Sequence, residues 1–278
     1  MKKILVPCDF SDSAVQAFIF ALQIGQKSKG EILLLHVIEL PVLSNTMPAP
    51  PLYFEEDYLK DMKVSAQNNL EELKNKWANS EIKVHSLIDE GPTSKTITRV
   101  AEENKVALIV MGTQGATGFK EFLVGSNAEK VVRFSPFPVL AVRKSLKLSH
   151  IKNIVFPISL DLNQNELLTH IKELQNFFSA KLHLLLVNTP HNMKRTIDEK
   201  ELMEGYAKNF DLQNYTIKTR NDFVISNAII NFTIEIKADL IVMATYSRKG
   251  LAQLFSGSVA EEVVNHMDCP IWTYSIKE

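Results

Sequence analysis

The sequence is poor in several things, and each shortage excludes a class of protein. It has two cysteines in 278 residues, Cys8 and Cys269, with no metal-ligand spacing around either. That argues against a disulfide framework and for a reducing compartment. Net charge is −1, so no overall basic field favours nucleic acid or an anionic membrane surface. No apolar run approaches the roughly 18 residues that a spanning helix needs. The first apolar run ends at Asp9, too short for the apolar part of a signal peptide. A cytoplasmic protein is expected, without nucleic-acid or membrane partners. The seven histidines are scattered without ligand spacing. No nucleophile stands beside a histidine base, so no catalytic set is assigned.

What is present is organised around Met111-Gly112-Thr113-Gln114-Gly115-Ala116-Thr117-Gly118, continuing to Gly125-Ser126-Asn127. Before it, Val106 to Val110 is an uninterrupted apolar run, which reads as a strand covered on both faces. After it, Ser126 to Phe134 reads as a helix with Ala128, Val131 and Val132 on one side. A strand therefore ends in a glycine loop that feeds a helix N-terminus. Such an end offers unpaired N–H groups and the positive pole of a dipole, and both attract phosphate. Glycine lets the backbone approach a ligand with no Cβ between them. No Gly-Lys-Ser/Thr follows, so this is not a Walker loop, and it is not a Gly-x-Gly-x-x-Gly fingerprint.

The rest of the first half alternates strand and helix. Ile4–Val6, Glu31–Val37, Ile82–Ile88 and Pro138–Val142 read as further strands. Ser13–Lys27, a stripe from Tyr58 through Met62, Ala66, Leu70 and Leu73 to Trp77, and Ser94–Glu103 read as helices, and the stripe reads as core and not as a cofactor box. Ser11 or Asp12 caps the first helix. A proline-rich loop lies between Pro41 and Phe54. After a polar linker, Lys144 to His150, the pattern restarts: Asn153-Ile154-Val155-Phe156-Pro157 matches Lys3 to Pro7, and Ala244 to Ser258 matches Gly112 to Ser126. The second copy is shorter by 18 residues between strands two and four, where it lacks most of the proline-rich loop. Two tandem domains follow, 1–145 and 151–278. The fold class is α/β: two doubly wound domains, each a parallel sheet with helices on both faces.

The spacing Gly112-x2-Gly115-x9-Gly125-Ser126 resembles the nucleotide-binding motif of the universal stress protein (UspA-like) family. Phe137-Pro138-Val139-Leu140 is similar to that family's last strand, and Ile4 to Ser11 to its first strand and acidic turn. The resemblance covers the whole chain, twice over. It implies a Rossmann-like five-stranded sheet of order 3-2-1-4-5 in each domain, and a cytosolic ATP-binding regulator of the stress response. It carries adenine and ribose contacts onto Pro7, Cys8, Asp9, Val37 and Met111. It carries phosphate contacts onto Gly112, Gly115, Gly125, Ser126, Asn127 and Ala128. Asp9 would orient the nucleotide or help hold Mg²⁺; the competing reading is a turn residue ahead of helix one. Cys8 is either a redox sensor or an inert buried thiol. Lys120 reaches phosphate or is simply solvated.

Family members pair through their last strands, so Pro138–Val142 and Pro270–Tyr274 are expected to pair within the chain as a pseudo-dimer, with a homodimer beyond it. The second domain is expected to be degenerate. Ala244 and Ser247 stand where the first has Gly112 and Gly115, and Ser159 stands where it has Asp9. Two other classes remain as alternatives. An ATP-hydrolysing or adenylyl-transferring enzyme of this architecture would carry a Ser-Gly-Gly-type loop where Pro7-Cys8-Asp9 stands. A phosphoacceptor receiver would place its acceptor at the end of strand three.

Overall fold

The computed structural model describes residues 2–39, 56–113, 125–158, 165–190, 199–246 and 257–276. The elements alternate throughout. The first half runs β1 (Lys3–Pro7), α1 (Asp12–Ser28), β2 (Glu31–Ile38), α2 (Glu56–Trp77), β3 (Val84–Glu90), α3 (Thr93–Glu103), β4 (Leu108–Gly112), α4 (Ser126–Phe134) and β5 (Val139–Val142). The second runs β6 (Asn153–Ile158), α5 (Asn165–Phe178), β7 (Lys181–Asn188), α6 (Glu199–Asn209), β8 (Tyr215–Asn221), α7 (Ile225–Glu235), β9 (Leu240–Tyr246), α8 (Gly257–His266) and β10 (Ile271–Ile276).

The ten strands of the described residues form one sheet, in the order β3-β2-β1-β4-β5-β10-β9-β6-β7-β8. Each half keeps the order 3-2-1-4-5, and its strands pair in parallel. The two halves meet where β5 and β10 pair antiparallel, with Trp272 opposite Leu140 and Thr273 opposite Val139. The expected pairing of last strands within the chain is therefore present. Side chains close it further: Arg133 reaches Glu261, Lys144 reaches Asp268, and Arg143 donates to the carbonyl of Asn265. The polar linker is tied down as well. Gln23 of α1 accepts from the Leu148 amide and donates to the Leu146 carbonyl.

The central strands are apolar on both faces because helices cover both, whereas the edge strands β3 and β8 are more polar and partly exposed. On one face, Phe18, Phe20, Ile24 and Leu70 from α1 and α2 share a cluster with Leu167, Ile171 and Met203 from α5 and α6. On the other, Ile97, Val131 and Val132 from α3 and α4 join Ile229, Phe232 and Val263 from α7 and α8. At the start of α1, the Ser11 hydroxyl accepts from the Ala14 amide, so Ser11 and not Asp12 is the cap.

Two expectations are corrected. The fourth strand starts at Leu108 and ends at Gly112, two residues later than the apolar run suggests. Lys105 is left-handed at φ 51°, and the Val106 amide still bonds back to Ala101 of α3. Helix closure therefore consumes the first residues of the run. The ends of the α2 stripe are not core: Tyr58 is 53% and Trp77 42% exposed. A helix of 22 residues spans about 33 Å, whereas β3 with its 7 residues spans about 23 Å, so both helix ends outrun the sheet.

At the opposite flank, His183 is buried between β6 and β8. Its Nε2–H donates to Asn153 Oδ1 at 3.1 Å, and its Nδ1 accepts from Thr216 Oγ1 at 2.7 Å. Burial holds its pKa below 6.5, with Lys181 and Lys218 adding to the shift. The folded state therefore keeps the ring neutral, while the unfolded chain takes up a proton at about pH 6.5. Stability from this site is present above that pH and is lost as pH falls through the lower folded-state value. Urea titrations below pH 6.5 are expected to show a falling midpoint that flattens in His183→Gln. An unchanged pH slope in that variant would refute the assignment.

Candidate functional site

In an open parallel sheet, connections leave in opposite directions from the strands flanking the reversal of order. A crevice forms there, beyond the carboxyl ends. Here those strands are β1 and β4. A cleft of about 330 Å³ opens at their ends. It brings together Pro7, Cys8, Asp9, Val37, Met111, Gly112, Gly125, Ser126, Asn127 and Ala128. Gly115, Gly118 and Lys120 lie outside the described residues.

One lip is Pro7-Cys8-Asp9. The Cys8 amide donates to Leu35, and His36 Nδ1–H donates to the Cys8 carbonyl at 2.8 Å. The His36 ring lies 4.6 Å from the ring of Phe10, which is itself left-handed at φ 66°. Spacing along the chain gave His36 no role; its contact shows it bracing this lip. Asp9 Oδ1 accepts from the Ser11 amide at 3.1 Å and from the Ser11 hydroxyl at 2.6 Å. Asp9 therefore does turn work at the start of α1 while also lining the cleft. Burial pushes the Cys8 thiol up to about 11. A thiol that stays protonated at neutral pH is a poor nucleophile, which favours the inert reading over the redox sensor.

The other lip follows β4. The Thr113 amide donates to Val142, and the Gly125 amide donates to the Thr113 carbonyl at 2.7 Å, which closes the gap to α4. Gly125 is the N-cap of α4, and no side chain caps that helix. Nor does a side chain cap α3, whose first residue Thr93 lines the cleft. With Ala14 of α1 also on the wall, three helix N-termini point their positive ends at one space. Asp9 is the one carboxylate among the described residues lining it. The floor is apolar, from Leu35, Ile97 and Met111. This combination suits an anion joined to a flat apolar group. Among the described residues, no group of three or more His, Cys, Asp or Glu gathers to hold a metal ion unaided. A lone carboxylate beside a phosphate site is nevertheless a usual way of holding Mg²⁺.

Sequence reasoning missed Ala14, Leu35, Thr93, Ile97 and Thr113, all of which line the cleft. Leu35 was accessible, since it shares a strand face with Val37 two residues on. Thr93 and Ile97 carry no local signal, because only the packing of α3 brings them here. The role of Gly112 also shifts. A Cβ there would stand 2.6 Å from the Ser13 carbonyl carbon and 2.7 Å from the Ala14 nitrogen. Its bareness lets β4 press against the first turn of α1.

The second half departs at the equivalent place. Ala244 carries a Cβ and is buried, and β9 continues past it, with Thr245 opposite Ser275 and Tyr246 opposite Ile276. In the first half the pairing of β4 stops at Gly112 opposite Val142. Ser159, Asp161, Ser247, Arg248, Lys249 and Gly250 lie outside the described residues.

Comparison with known proteins adds the following. The model of the universal stress protein family matches residues 1–143 and again 150–275. Universal stress protein MJ0531 of Methanocaldococcus jannaschii is 31% identical over 146 residues, which span 52% of this chain and 84% of the relative. Universal stress protein MJ0577 of the same organism is 32% identical over 154 residues, spanning 51% of this chain and 95% of the relative. In fold, the chain is similar to the crystal structure of a universal stress protein from Archaeoglobus fulgidus. The TM-score is 0.79 at 20% identity, with 98% of each chain covered.

Proposed function

The chain belongs to the universal stress protein family, and from that premise we propose that it is a nucleotide-dependent regulator that holds one ATP, with Mg²⁺, in the cleft of residues 1–145. The observation that carries this reading is the convergence of three helix N-termini on a cleft with an apolar floor and one carboxylate. Phosphates belong beside Gly112 and Gly125 at the first turn of α4, whose own unpaired N–H groups and dipole favour negative charge. Adenine and ribose belong against Val37, Met111 and the Pro7–Asp9 lip. Asp9, whose Oδ1 accepts from Ser11, is the carboxylate on this lip that would meet the ribose or Mg²⁺. In this reading the protein acts in the cytosol during stress, and the nucleotide sets which state a partner meets.

The domain of residues 151–278 serves as the degenerate partner in the pseudo-dimer. Support comes from Ala244 and from the two further residues of β9 pairing, which occupy the level at which β4 hands over to its loop. Calorimetry of the full chain with Mg·ATP is expected to give one nucleotide per chain. Photolabelling with an azido-ATP probe should mark peptides from residues 1–145 only. Two sites of similar affinity would overturn the asymmetry. Absence of binding would overturn the site.

A further inference from the structure

Resting on the nucleotide reading of the cleft, we propose that Thr113 is its phosphate-selecting side chain, with the Oγ1 hydroxyl donating to a phosphate oxygen of the bound ligand. Thr113 follows the last residue of β4 and lines the cleft. It is 4% exposed, and its Oγ1 has no hydrogen-bond partner among the described residues. Buried hydroxyls are normally bonded, and an orphan in a binding cleft marks the place where a ligand supplies the partner.

The backbone of Thr113 is fully used. Its amide donates to Val142, and its carbonyl accepts from Gly125, the N-cap of α4. These bonds hold the residue beside the uncapped start of α4, at the end of the cleft where the dipole favours anions. A hydroxyl beside those N–H donors can give its own proton to the anion that they attract, and phosphate oxygen is such an acceptor.

The second half supplies an internal contrast. Thr245 occupies the corresponding position and is also buried, but it lies within β9 and is paired opposite Ser275. The same residue type is there absorbed into the sheet. Threonine at this place is therefore not itself the signal; the signal is a threonine set beyond the last residue of its strand and left without a partner.

The test uses the full chain and three proteins: wild type, Thr113→Val and Thr113→Ser. Valine keeps the shape and removes the hydroxyl, and serine keeps the hydroxyl and removes the methyl. Calorimetry is run with Mg·ATP and separately with adenosine, and thermal unfolding is followed without ligand. Thr113→Val is expected to bind ATP roughly tenfold more weakly, the scale of one lost hydrogen bond to a charged group. Its affinity for adenosine should be unchanged, and its ligand-free Tm should not fall, because the orphan hydroxyl is gone. Thr113→Ser should keep its ATP affinity even if its Tm drops. ATP binding in Thr113→Val equal to that of a binding-competent wild type would overturn the assignment alone. Equal losses for ATP and adenosine would overturn the phosphate contact. A wild type that binds neither ligand would overturn the nucleotide reading and this proposal together.

Discussion

Gly112→Val is expected to destabilise the protein by about 3 kcal/mol, the upper part of the usual overpacking range. The reason is space and not backbone strain, since Gly112 does not need a positive φ. A Cβ would sit within 2.7 Å of two backbone atoms and within 2.6 Å of Ser13 Oγ. A flexible side chain can swing away from such a clash, but the backbone of a helix's first turn cannot without moving the helix. Ser13 and Ala14 are held by the cap at Ser11 and by burial under β4. To admit the valine, α1 must lift from the sheet, and Phe18 and Phe20 lie on the same helix in the core cluster. Gly112→Ala should show a smaller loss of the same kind. Urea unfolding reads the difference directly, and an unchanged midpoint in Gly112→Val would show that the contact is not tight. Nucleotide affinity should fall in parallel, because Ala14 and Gly112 line the cleft together.

Trp272→Ala should cost more, about 3–5 kcal/mol for a fully packed indole. Trp272 stands on β10 at the joint, with Leu140 of β5 on one side and Val242 of β9 on the other. Its ring stacks on Tyr274 at 5.8 Å, and His170 of α5 lies at the edge of the same group. Removing it opens a cavity where the two halves share one sheet. The chain has two tryptophans, so the variant leaves Trp77 as the sole indole reporter, on α2 of the first half. If the sheet couples the halves, Trp77 fluorescence and far-UV circular dichroism should both shift to lower urea, as one transition. A Trp77 signal that keeps its wild-type midpoint would mean that the first half stands alone. Trp77→Phe is the control, since Trp77 is substantially exposed and its loss should change little.

Much of this was legible from residue order. Unbroken apolar runs such as Ile4 to Val6 identify strands covered on both faces, and the matched segments at Lys3 and Asn153 reveal the duplication. The glycine spacing after Met111 identifies the family through its resemblance to a known motif. The stripe on α2 misled at its ends. Periodicity reports which side of a helix faces inward, but not how far the supporting sheet extends beneath it.

The sequence by itself determined the alternation of elements, the parallel sheet and the tandem repeat. These follow from short-range periodicity and from local steric rules that hold wherever a segment ends up. Only the tertiary structure decided that Gly112 is bare to seat the first turn of α1, that Thr93 and Ile97 complete the cleft from α3, and that the Thr113 hydroxyl is left without a partner. Each of these depends on the distance between groups brought together by helix–sheet packing from separate stretches of the chain. No local pattern encodes a distance of that kind, because it is the joint outcome of every side-chain volume between the two segments.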